Sequence, residues 1–251
     1  MNTIFVHREG RTEQVTSIDR SWLGAAPGTR PAYLWVDLAA PSIPESLVLS
    51  DTFGFHQLAI EEARAGRHTP RIDAYDGYLF AAIAGADADV GFFVGSHDIV
   101  SVHWEESKAV ADQIDSLQHG GKQFTEGPFA VFHRVVDAIV SGFVPVVQQQ
   151  ASCVDAFEKR LFEKATAELV REIVRARATA FDLEQRLTGQ REAVARLAGR
   201  EIVAISDEMA VRFRHVRNRL AGLTGEAAAI EHRLGDLMTA ASGLASKKSW
   251  M

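Results

Sequence analysis

The chain carries a single cysteine, Cys153, so no internal disulfide can form. Its first residues, Met1-Asn2-Thr3-Ile4-Phe5-Val6-His7, lack the basic start and long apolar run of a signal peptide. These two absences predict a reducing, cytoplasmic setting. No apolar run reaches the roughly 18 residues a spanning helix needs, because stretches such as Val135 to Val147 are broken by Asp137, Ser141, Gly142 and Pro145. The patterns of catalysis are missing as well. There is no phosphate-cradling glycine loop, no Gly-x-Ser-x-Gly elbow and no nucleophile with a motif-spaced base, which argues against an enzyme. His97, His103 and His133 stand at no spacing to cysteine or carboxylate that would mark a catalytic zinc.

What is present is an ordinary apolar content of 47%, enough for a real core, and a net charge of −6 that is unevenly placed. Residues 1–120 hold 8 Lys/Arg against 17 Asp/Glu, and residues 121–251 hold 19 against 16. An acidic front half repels phosphate backbones, so nucleic acid is not an expected partner, whereas cations are. Solubility alone is the competing explanation of that charge.

Short segments rich in β-branched and aromatic residues, set off by Gly, Pro and Asp, predict strands at Thr3–Val6, Glu13–Ile18, Tyr33–Leu38, Tyr78–Ala84, Val90–Val94 and Ile99–His103. Two helices fall between the third and fourth. One is opened by Ser42 as N-cap with Pro44 in its first turn, and the other covers Gln57 to Ala65. Gly95-Ser96-His97-Asp98 predicts an antiparallel hairpin, so the sheet is expected to be mixed. Helical spacing begins at Lys108 and stops at Gly120-Gly121. Beyond Pro128, apolar residues recur every three or four positions through Leu161, with a bend expected at Gly142 or Pro145. A second stripe runs from Leu169 to Leu197 and a third from Val203 to about Leu244. The predicted fold class is therefore α/β: a mixed-sheet α/β/α domain over residues 1–120, followed over 121–251 by long helices forming a stalk-like bundle. The last helix, with Val211, Val216, Leu220, Leu223, Ile230, Leu234, Leu237 and Met238 on one face, is expected to pack against copies of itself; packing within its own chain is the alternative.

Several of these segments fall in one order. Trp35-Val36-Asp37-Leu38, Pro41, Phe53-Gly54-Phe55-His56, Ile60-Glu61-Glu62-Ala63 and Pro70-Arg71-Ile72-Asp73-Ala74-Tyr75-Asp76-Gly77-Tyr78-Leu79-Phe80 are followed by Phe93-Val94-Gly95, Ile99-Val100-Ser101-Val102-His103, Ala138–Val146 and Phe213-Arg214-His215-Val216-Arg217-Asn218. In this order the chain resembles the cytosolic domain of the CorA/ZntB family of divalent-cation transporters. The resemblance implies a mixed-sheet α/β domain, a long stalk helix leading toward a membrane span, and assembly of five chains around a pore. The Gly-Met-Asn motif and the two spans of that family are absent from this sequence. The expectation is thus a sensing and assembly domain that cannot conduct by itself, since a pore needs a spanning structure. It would be a soluble chain at the cytoplasmic face of the membrane.

The resemblance also implies a cation sensor in which carboxylates of one α/β domain face the stalk helix of the next chain, and bound magnesium holds the closed state. Hard divalent cations take oxygen ligands and keep some waters, so a few carboxylates across an interface suffice. Glu61 and Glu62 match the sensor segment and are the candidate ligands. The stalk partner of the family lies in Phe-Arg-Asp; here that position is His215, with Asn218 nearby. An imidazole favours zinc, cobalt or nickel over magnesium, while the plain alternative for His215 is a solvated surface histidine. Magnesium leads as the implied cation, with cobalt or zinc behind it.

Other groups have structural explanations beside functional ones. Glu105-Glu106, Asp87 and Asp89 could hold a cation or be solvated acids near turns. Asp37 at a strand end could be catalytic or could cap the region after Pro41, and Cys153 beside Val154 reads as a small packing residue. Lys247, Lys248 and Trp250 suit a cytoplasmic membrane entry or a frayed tail. The competing functional reading is a stand-alone soluble relative acting as a regulatory or interaction module.

Overall fold

The computed structural model describes residues 2–23, 32–121, 123–199, 202 and 205–248. Seven strands form one sheet: β1 (Asn2–Arg8), β2 (Arg11–Val15), β3 (Tyr33–Ala39), β4 (Arg71–Ala74), β5 (Tyr78–Ile83), β6 (Val90–Gly95) and β7 (Asp98–His103), in the order β2-β1-β3-β7-β6-β5-β4. Only β3 and β7 run parallel, Trp35 lying opposite Ile99 and Asp37 opposite Ser101; every other pair is antiparallel. The sheet is mixed and β6–β7 is a hairpin, as the turn residues predict. Two edges differ from expectation. β4 was not expected, since its single buried apolar residue, Ile72, gives no pattern to read. β2 begins earlier, at Arg11, because Glu9 and Gly10 both take positive φ and close a two-residue hairpin onto β1.

One face of the sheet is covered by α1 (Ile43–Ser46), α2 (Val48–Asp51) and α3 (Gln57–Arg64). Between them lie Val6, Leu34, Val36, Phe93 and Val102, packed on Leu49, Phe55 and Ile60. Ser42 caps α1 in a reciprocal capping box with Glu45: the Glu45 N–H donates to Ser42 Oγ and the Ser42 N–H to Glu45 Oε2 at 2.8 Å. Ser42→Ala is expected to lower Tm by about 2–4 °C, the scale of one lost N-cap in a chain of this size, as measured by thermal unfolding.

The other face carries α4 (Lys108–Gln118), α5 (Pro128–Glu163), α6 (Ala167–Ala198) and α7 (Asp207–Lys248). Trp35, Phe92 and Val94 meet Val131, Phe132 and Val135 of α5, and the same apolar core continues through α6 to Ala241 of α7. α5 contains Pro145 and runs unbroken through it. Among the described residues it is the one helix long and apolar enough to cross a membrane, with an 18-residue window of mean hydropathy 1.6, half of it buried here. That burial is against the sheet and its neighbouring helices. The expected start of the third helix at Val203 and the tail residues Ser249 and Trp250 lie outside the described residues.

Two readings are corrected. The apolar face of α7 expected to meet other copies, Val216, Leu220, Leu223, Ile230 and Leu234, is buried against α5 and α6 of the same chain; Val211 alone of that set is exposed. The spacing identifies a buried stripe but not which chain buries it. Cys153 is exposed and fills no core gap, since it lies one position before the buried Val154 and so off that face.

Candidate functional site

α3 is placed firmly. The His56 ring accepts from the Leu58 N–H, and Tyr78 Oη accepts from the His56 N–H at 2.9 Å. Ala59, Ile60 and Ala63 are buried against the sheet, and a Cβ on Gly91 would come within 3.3 Å of the Ala63 Cβ, so the helix can approach β6 this closely because Gly91 has no side chain. With that face inward, Glu61 points to solvent, and Gln57 Nε2 donates to its Oε1 at 2.9 Å. Glu62 is half-buried. Arg71 Nη2 stands 3.7 Å from its Oε2 and His68 Nδ1 3.9 Å from its Oε1.

His215 lies exposed on α7, as does Asn218. α3 and α7 lie on opposite faces of the sheet, so the structure does not bring Glu61 and Glu62 together with His215 inside one chain. Among the described residues no group of three or more His, Cys, Asp or Glu is arranged to hold a metal ion. A site joining these three residues would have to form between chains.

The other acids have structural work. Asp87 Oδ2 accepts from the Lys108 N–H at 2.8 Å, capping α4 where Ser107 makes no cap bond. Asp89 is buried: its Oδ1 accepts from Arg186 at 2.6 Å and from the Gly85 N–H, and its Oδ2 from the His68 N–H. This ties α6 to the β5–β6 connection. Asp37 does not cap the region after Pro41. It sits buried in β3 and accepts from Ser101 Oγ at 2.5 Å, which in turn accepts from Trp35 Nε1, while His103 Nε2 lies 3.4 Å away. Its partners stand more than sixty positions along the chain, beyond any local motif.

His103 Nδ1 meets the Glu105 carbonyl at 2.6 Å, so both ring nitrogens face acceptors. Burial alone would lower its pKa, but the bond to Asp37, the charge of Asp37 and the Glu105 carbonyl together raise it. His133 goes the other way: desolvation depresses it against the pull of Asp137.

α7 is fastened to α5 by arginines on the exposed side of the seam. Arg212 donates to Glu126 and Glu208, Arg219 to Asp137, and Arg233 to Asp155 and Glu158, all but Glu208 lying on or just before α5. The first and second arginines are seven residues apart and the third fourteen further on, so they recur on one side of the helix. Beside this seam α4, α5 and Arg212 enclose a groove of about 1050 Å³, lined by Asp87, Lys108, Asp112, His133, Arg134 and Asp137 among others. Glu61, Glu62 and His215 are not among its lining residues.

The sequence model of the family of CorA-like Mg2+ transporter proteins matches residues 31–249. The chain belongs to this CorA-like family. A Bacillus subtilis (strain 168) relative, YfjQ, whose name proposes a metal ion transporter, is 25% identical over 199 residues, covering 77% of this chain and 62% of the relative. The chain thus spans less than two thirds of that relative's length. The soluble domain of CorA from Methanocaldococcus jannaschii superposes with a TM-score of 0.78 at 14% identity, covering 94% of this chain and 95% of that one. The ZntB cytoplasmic domain from Vibrio parahaemolyticus RIMD 2210633 gives 0.77 at 10% identity, covering 98% of each. At such identities the two solved domains establish the fold of this CorA-like chain, and the sheet followed by long helices is the architecture they share with it.

Nothing in the sequence around His68 marks it, since Gly66, Arg67, Thr69 and Pro70 flank it with no periodic pattern. Its burial follows from the turn after α3, where Gly66 at φ +75° lies against the Trp104 ring.

Proposed function

We propose that this CorA-like chain is the cytosolic sensing and assembly part of a divalent-cation transporter, magnesium first and cobalt or zinc as alternatives. A cation held between Glu61 and Glu62 of one chain and the His215 region of α7 in another would favour a closed ring, and its loss would release α7. The carrying observation is the opposition of these residues: a firmly seated acidic pair on one side of the sheet, and His215 exposed on the other. Patches on opposite sides of one molecule can meet only head to tail, and a head-to-tail contact that closes makes a ring; five chains is the number the family resemblance implies. Conduction would belong to membrane-spanning segments, with the chain at their cytoplasmic side.

The test is the double variant Glu61→Ala/Glu62→Ala, followed by sedimentation and thermal unfolding with and without each cation. For the unaltered chain, saturating cation is expected to add larger species and to raise stability by about 2.7 kcal/mol at a hundredfold excess over Kd, with no such response in the double variant. Equal responses in both proteins would remove the site from α3.

A further inference from the structure

His68 is buried, 8% exposed, with its side chain wholly inside, and neither ring nitrogen has a hydrogen-bond partner. Its backbone N–H donates to the buried Asp89 at 2.9 Å, which fixes where the ring sits. Buried polar nitrogens without partners are uncommon because leaving them unmatched is costly. The Glu62 carboxylate faces the ring, its Oε1 3.9 Å from Nδ1 and beyond hydrogen-bonding reach. In its neutral form an imidazole leaves one ring nitrogen with a free lone pair, the donor a cation needs.

The 3.9 Å gap has a chemical meaning. Imidazole nitrogen and carboxylate oxygen each bind zinc at about 2.0–2.2 Å, so one ion spans such a gap when the carboxylate moves by a few tenths of an ångström. Glu62, near the end of α3 with its side chain partly exposed, is the member with room to shift, whereas the His68 ring is fully enclosed. Arg71 occupies the other oxygen of Glu62 at 3.7 Å, but it already has a closer partner in Asp73 at 3.0 Å, to which it can withdraw.

We infer that Glu62 and His68 form a mixed oxygen–nitrogen site for a borderline divalent cation of the zinc class, with the remaining positions filled by water or by a donor from a second chain. This deepens the proposed function, on whose assignment of Glu62 to a cation it rests. It changes the cation expected at α3, because a nitrogen donor shifts preference from magnesium toward zinc, cobalt or nickel.

The test is calorimetric titration of the whole chain with zinc alone and with magnesium alone, together with the visible absorption of added cobalt(II). Zinc is expected to bind at least about tenfold more tightly than magnesium, and His68→Gln and Glu62→Gln are each expected to weaken zinc by about tenfold or more. The cobalt spectrum should move in His68→Gln as a nitrogen donor is lost. Far-UV circular dichroism checks that His68→Gln folds, and Glu62→Gln tests the site without touching the core. Zinc affinity that is the same in the unaltered chain and in folded Glu62→Gln overturns the inference. If the magnesium response of assembly is lost in Glu61→Ala/Glu62→Ala while zinc ignores His68, the functional reading stands and this site falls. If zinc binding needs His68 but assembly ignores every cation, the site stands and the functional reading falls.

Discussion

Phe213→Ala is expected to destabilise the chain by about 3–5 kcal/mol, the range for removing a fully buried aromatic ring. Phe213 is 0% exposed near the start of α7, its ring 5.6 Å from that of Phe132 and 5.1 Å from that of His133. Phe132 is in turn 5.3 Å from Phe92 on β6. These rings form a continuous bridge from the sheet through α5 to α7. The Arg212 and Arg219 pairs flank it on the solvent side, where charges are screened and hold little on their own. The ring therefore dominates the local hold on α7. Urea unfolding should show the full loss, and amide exchange should show lowered protection concentrated in the first turns of α7. A loss below about 1 kcal/mol would mean that the helix is held elsewhere. If α7 moves when the proposed cation leaves, this bridge carries the motion to the sheet.

Legibility in the sequence follows the range of the interactions involved. β3, β5, β6 and β7 are almost wholly buried on both faces, so they stand out as dense runs of branched and aromatic residues bounded by Gly, Pro and Asp. β4 has one buried apolar residue and gives no pattern to read. The 3.6-residue stripes of α5, α6 and α7 are plain in the sequence, yet what covers the stripe on α7 is not, because periodicity reports that a face is covered and not by what. The role of Asp37 is hidden for a related reason: its partners Ser101 and His103 come to it only through the parallel pairing of β3 with β7. The acidic pair on α3 is a candidate through the family resemblance alone, whereas no pattern in the sequence points to His68, since its burial depends on a turn and on a contact with Asp89 twenty-one residues on.

The candidate site and the core also divide their histidines by chemistry. His68 and His133 are held neutral by desolvation, so they favour the folded state above their ordinary pKa near 6.5 and lose that contribution as pH falls. His103 does the reverse, as its raised pKa adds stability that is complete below about 6.5 and is lost as pH rises through the folded value. Their opposed slopes partly cancel in the unaltered chain, so its overall stability against pH cannot report on any one of them.

A variant at Asp37 separates them. Asp37→Ala removes the counter-charge of His103 and the acceptor of Ser101 in a site where Asp37 is 4% and His103 6% exposed. Removing one partner of a buried pair costs about 3–5 kcal/mol. The slopes from His68 and His133 are common to both proteins and drop out of the difference between them. What remains belongs to His103: its ion pair is whole below about pH 6.5 and vanishes once the ring deprotonates. The destabilisation by Asp37→Ala is therefore expected to be largest in mildly acidic buffer and to shrink as pH rises, with a residue left by the lost Ser101 bond. Asp37→Asn, which keeps the shape and an acceptor for Ser101 but removes the charge, should show the same pH dependence with a smaller offset. Paired urea unfolding across the neutral range measures both, and a difference that does not change with pH would mean that His103 and Asp37 do not act as an ion pair.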